Sequence, residues 1–131
     1  AYENINYGDP MDVANIMGPL VSAKQRARVL EYIEKGKAEG ARLLVGGGRP
    51  SHLEKGFFVE PALFVDVDPD ATIAQEEIFG PVLAVIPYED DDDAVRIANN
   101  SSYGLSGAVN SASLERSMAV ARTPSMVSWL A

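Results

Sequence analysis

Cysteine is absent from all 131 residues. No disulfide, thiolate metal site or thiol nucleophile can therefore be built within the chain, and thiol usage says nothing about redox compartment. Basic residues are scarce: 11 Lys and Arg against 19 Asp and Glu leave a formal charge of -8 and a pI near 4.5. Nucleic acids and anionic membrane surfaces are bound through clustered cations, so neither is expected as a partner. Histidine occurs once, at His52 in a polar loop. With no companion ligand it argues against a metal site, and its spacing suggests no Ser-His-Asp arrangement. No apolar run reaches the roughly 18 residues of a membrane span and no secretory segment opens the chain, which makes a cytoplasmic setting the expectation. What remains is 47% hydrophobic and 8% aromatic, enough for the core of one globular domain. The opening at Ala1, without a Met and in a polar lead-in, raises the expectation of a processed or partial polypeptide.

Residues 1–20 carry Gly8, Pro10, Gly18 and Pro19 with little periodicity and read as a connecting segment. Over 22–39, Ala23, Ala27, Leu30 and Ile33 recur at helical spacing, and Gly40 sits where a left-handed cap ends a helix. Ser22 with Gln25 three residues on matches a capping box. Residues 41–45 read as a short buried strand, and Gly46-Gly47-Gly48-Arg49 as its closing loop. That loop lacks the G-x-G-x-x-G spacing of a phosphate cradle and reads as a plain turn. A β-rich stretch over 57–67 is interrupted by Pro61, which belongs at an edge or bend. A helical turn over 72–77 precedes the apolar run 82–88, which has the character of a strand covered on both faces.

The acidic run 89–93 leads into a helix over 92–99 with Ala94, Val95, Ile97 and Ala98 on its buried side. Its carboxylates are consecutive, unlike a calcium loop, and suit the positive end of a helix dipole. A strand over 105–109, a helix over 113–122 capped by Ser113, and a last strand over 126–130 complete the pattern. Strands alternating with helices imply an α/β fold with a mainly parallel sheet and flanking helices.

Between the helical turn and the apolar run stands Glu76-Glu77-Ile78-Phe79-Gly80-Pro81-Val82. It is preceded in order by Gly18-Pro19-Leu20-Val21, by a helix containing Tyr32-Ile33 and Gly36, by the run from Glu39 to Gly47, and by Gly56-Phe57-Phe58-Val59-Glu60-Pro61. It is followed by Ala98-Asn99-Asn100 and Tyr103-Gly104-Leu105-Ser106. Together these resemble the aldehyde dehydrogenase family, from about Gly18 to Arg122.

The resemblance implies a single, incomplete catalytic domain: a lead-in over 1–20, a family-like core over 21–122 and a divergent tail over 123–131. It implies an NAD or NADP cofactor and oxidation of a small-molecule aldehyde to a carboxylic acid, with homo-oligomeric assembly. In such enzymes a thiolate attacks the aldehyde, hydride passes to NAD(P)+, and activated water hydrolyses the thioester. Glu77 matches the glutamate that accepts hydrogen bonds from the nicotinamide ribose, where two ionised oxygens suit a vicinal diol. Phe79 matches an aromatic packed near the nicotinamide. Gln25 and Arg28 fall where some members contact the adenosine ribose. Each also has a plainer reading, Gln25 as half of the capping box and Arg28 as an exposed helix residue. Glu76 reads as a structural neighbour.

The family continues past its last helix with a Gly-x-x-x-x-Asn segment, whereas this chain reads Thr123-Pro124-Ser125-Met126-Val127-Ser128-Trp129-Leu130-Ala131. A truncation or an altered reading frame is the expectation there. With no cysteine, the chain by itself is expected to be inactive. Two other readings stand beside this one: a non-catalytic remnant acting through self-association or partner binding, and a relative of the acyl-phosphate reductases, which share the architecture. The heptad is more typical of true aldehyde dehydrogenases.

Overall fold

The computed structural model describes residues 2–104 and 106–123. Two compact units make up the chain, the first ending at Ile86 and the second beginning at Pro87. In the first unit, the long helix α1 (Ala23–Ala38) is followed by strands β1 (Arg42–Val45) and β2 (Ala62–Val65), the short helix α2 (Thr72–Gln75) and strand β3 (Val82–Ala84). The second unit holds α3 (Asp91–Asn99) and α4 (Leu114–Ala121).

α1 starts where a side chain can replace the missing turn of backbone acceptors. Ser22 Oγ accepts from the Gln25 amide at 3.1 Å, which satisfies one of the orphan donors at the helix start. Gly40, at φ 93°, ends it, because the left-handed cap is open to a residue without Cβ. The buried stripe is Val29, Tyr32, Ile33 and Gly36, and this corrects the stripe expected from sequence. Ala23 and Ala27 face solvent, and Leu30 is half-buried. Their small side chains mimic an apolar period, while the residues that fill the interface include an aromatic with a polar tip and a glycine. Gly36 lets α2 pack closely there: a Cβ would lie 2.8 Å from Ile73 Cδ1, so that side chain would have to shift.

The sheet has the order β1-β2-β3, with β1 antiparallel to β2 and β2 parallel to β3. Pro61 directly precedes central β2, so the ladder loses no donor. Ala62 and Phe64, fully buried, present one face of β2 to Val29, Ile33, Val59, Val67 and Ile73. Leu44 interrupts the β1–β2 register between Leu43 and Val45 and is exposed. β1 is therefore a half-exposed edge strand instead of a buried one. The run 82–88 forms a regular strand only over Val82–Ala84, continued by Val85 N–H to Phe64 O at 2.9 Å. Leu83 and Val85 are 45% and 43% exposed, so this strand is covered on one face, not two.

In the second unit, α4 begins as expected, with Ser113 accepting from the Arg116 amide, and α3 begins a residue earlier than expected, with Asp90 accepting from the Asp93 amide. The side of α3 expected to be buried is only partly so: Ala94, Val95 and Ile97 are half-buried and Ala98 is exposed. Of the strand expected over 105–109, the described residues 106–109 form none. Leu105 and the strand expected over 126–130 lie outside the described residues.

Candidate cofactor-side site

The heptad leaves α2 at Glu76, crosses the N-terminal half of α1 and turns into β3 at Gly80-Pro81. α1 carries the groups that hold it there. Gln25 Nε2 donates to Ile78 O and to Phe79 O, each at 2.9 Å. Arg28 donates through Nη2 to Glu77 O at 3.2 Å and to Tyr32 Oη at 2.9 Å, with its guanidinium 4.8 Å from the centre of the Tyr32 ring. Tyr32 in turn donates its hydroxyl to the Glu76 carboxylate. That hydrogen bond, followed by burial, raises the tyrosine pKa above its ordinary value and keeps the phenol protonated.

Glu76 is thus a structural neighbour, as its position suggested. Glu77 is exposed, and among the described residues its carboxylate has no hydrogen-bond partner or ion pair. Only its backbone carbonyl is used. Phe79 is 73% exposed and stands at φ 53°. A non-glycine residue in the left-handed region costs on the order of 1–2 kcal/mol, and burial of this ring returns little of it. The next residue explains part of the turn: a Cβ at Gly80 would lie 2.4 Å from Cγ2 of fully buried Val29. The strand can enter so close to α1 only because Gly80 has no side chain.

The structure therefore brings all four sequence-derived residues, Gln25, Arg28, Glu77 and Phe79, into one cluster. It also shows what two of them touch. The capping box expected of Ser22 and Gln25 is only half made: Ser22 Oγ accepts from the Gln25 amide, while the Gln25 side chain, which would complete the box, turns away to the heptad carbonyls. Tyr32 is a member that site reasoning left out; its spacing of four residues from Arg28 on one helix face was the available signal.

The turn exposes an aromatic ring and an unpaired carboxylate two residues apart, the group types that suit a sugar diol joined to a flat ring. A cleft of about 460 Å³ lined by Met17, Pro19, Gly80 and Pro81 does not include Glu77 or Phe79. The second unit has its own cavity of about 310 Å³, lined among others by Tyr88, Val95, Arg116 and Val120. Among the described residues no three His, Asp or Glu side chains come together to hold a metal ion. No helix of the described residues is long and apolar enough to cross a membrane.

The chain is similar in sequence and fold to known proteins. The chain is 54% identical over 114 residues to betaine aldehyde dehydrogenase of Brucella ovis, a match covering 86% of this chain and 23% of the relative. A solved structure of Mycobacterium tuberculosis aldehyde dehydrogenase complexed with NAD+ superposes with a TM-score of 0.91 at 49% identity, over 98% of this chain and 27% of the other. A Staphylococcus aureus betaine aldehyde dehydrogenase in complex with NAD+ gives a TM-score of 0.92 at 37% identity, over 98% and 26%. The chain thus spans about a quarter of the length of the relatives it matches. The aldehyde dehydrogenase family model matches residues 1–127, beyond both ends of the span over which the quoted motifs run, and the chain belongs to that family.

Proposed function

We propose that this chain supplies the nicotinamide-ribose wall of an NAD(P)-dependent aldehyde dehydrogenase, whose nucleophile lies outside it. The observation that carries the reading is the pair Glu77 and Phe79. An unpaired carboxylate and a mostly exposed aromatic stand two residues apart on one turn, and the aromatic is kept in a backbone conformation that neither burial nor local preference favours. Such strain marks a functional position more often than a structural one.

The residues fit the cofactor by chemistry. The ionised Glu77 oxygens accept hydrogen bonds from a vicinal diol, and the Phe79 ring limits the motion of a flat ring laid against it. When bound, NAD(P)+ supplies the hydride acceptor. Glu77 and Phe79 bind and orient, and neither carries a proton or forms a bond in the reaction. The relatives' complexes with NAD+ support this assignment.

The test is a chimera in which this chain replaces the matching quarter of the M. tuberculosis enzyme. Glu77→Gln keeps the shape and removes the charge, and kcat/KM for NAD+ falls about 10- to 100-fold, the worth of one or two charge-assisted hydrogen bonds. An unchanged value sinks the assignment. The 131-residue chain alone, having no thiolate to attack an aldehyde, forms no NADH from aldehyde and NAD+. Steady NADH production by the purified chain overturns that.

A further inference from the structure

Both amide hydrogens of Gln25 are spent on the carbonyls of Ile78 and Phe79, at 2.9 Å each. The two carbonyls belong to the peptide units on either side of the Phe79 Cα, so holding both fixes the relative orientation that φ and ψ of Phe79 set, with φ at 53°. On its other side the turn is fixed by the approach of Gly80 to Val29, which removes room for the chain to swing toward α1. Nothing intrinsic to phenylalanine favours this backbone, and the ring is too exposed to be anchored by packing. A pair of donors on a rigid helix is what holds it.

The geometry points to Gln25 as a positioning residue that acts through the main chain: it sets the left-handed turn at Phe79 and thereby the place of the aromatic wall. Its consequence for catalysis rests on the cofactor reading above; its consequence for the turn does not. A direct contact between Gln25 and a ribose hydroxyl would use the remaining oxygen as acceptor, and the two roles separate chemically.

Gln25→Ala removes donors and acceptor together. Gln25→Glu, nearly the same shape, keeps acceptors for a ribose hydroxyl but has no donor for the carbonyls at neutral pH. Both residues are good helix formers, so α1 survives either change. In NMR spectra of the 131-residue chain, Phe79 shows the strong intraresidue amide–Hα NOE of a left-handed residue, and both variants lose it while α1 amides distant from position 25 stay in place. In the chimera, both lower kcat about 10- to 100-fold with KM for aldehyde unchanged, as displacement of a positioning wall would.

Retention of the left-handed signal in Gln25→Ala overturns the inference whatever the kinetics. So does a Gln25→Glu variant that keeps both the signal and the turnover lost by Gln25→Ala. Glu77→Gln separates the two proposals: if it is silent while the Gln25 variants move Phe79, the cofactor reading fails and the positioning of the turn stands.

Discussion

Phe79 combines a left-handed backbone with a ring largely in water. Replacing it by glycine removes the backbone cost and gives up little burial. Phe79→Gly accordingly raises the stability of the chain by about 1 kcal/mol, read from urea unfolding, and lowers turnover of the chimera, the exchange of stability against activity expected where a site is strained. A decrease in stability shows that the ring is anchored after all. At this scale the sequence was informative about which residues meet but not about how. Glu77 and Phe79 were recognisable from their place in an ordered series of motifs. Gln25 was recognisable as a helix-start residue and, by resemblance, as a ribose contact, but not as the holder of the turn, because the carbonyls it holds lie more than fifty positions along the chain and no local pattern encodes them. Tyr32 entered only as part of a family-like run on the helix, and its hydroxyl partner is likewise a tertiary contact.

Elements were legible in kind and less so in extent. The caps of α1, α3 and α4 are written in Ser22, Asp90 and Ser113, whose side chains compete for amides next to them. The buried face of α1 is decided by what packs on it, and Phe64 of β2 is its fully buried counterpart. Phe64→Ala should cost about 3–5 kcal/mol in chemical denaturation; a loss below 1 kcal/mol would mean that the core collapses around the gap.

The second unit ties its helices by charge. Arg116 grips Asp91 with Nε at 2.8 Å and Nη2 at 2.6 Å, and Arg96 pairs with Asp93 within α3. These hydrogen bonds hold both aspartates below their ordinary pKa. A carboxylate with a lowered folded-state pKa contributes stability above its unfolded value, and that contribution is lost as pH falls through the folded one. The window lies below about pH 4. Hydrogen exchange at pH 3 should therefore show α4 opening relative to pH 6, with Arg116→Gln reducing the difference. An equal pH response in that variant rules the pair out as the cause.

At the scale of the whole molecule, the apolar run 82–88 promised a strand covered on both sides, and residues 105–109 promised another strand. Both expectations assume neighbours that sequence periodicity does not itself supply. Leu83 and Val85 remain open on one face of β3, and Leu44 on the edge of β1. An open apolar face beside an unpaired strand edge favours self-association, opposed here by a formal charge of -8. Light scattering of the isolated chain should show species larger than the monomer, and Leu83→Lys should reduce them. A clean monomer at every concentration counts against this.

The heptad's supporting helix is also a ruler. The Glu39 carboxylate, at the far end of α1, accepts from the Thr72 amide and so caps α2, which has no cap of its own. Gln25, near the start of α1, holds the exit of the same stretch. The two anchors are separated by on the order of 20 Å of helix, and each added residue turns one of them about 100° relative to the other. α1 should then accept many substitutions on its outer face yet no single-residue insertion or deletion between Gln25 and Glu39. Length counted in whole residues, more than composition, is the quantity that this helix must keep.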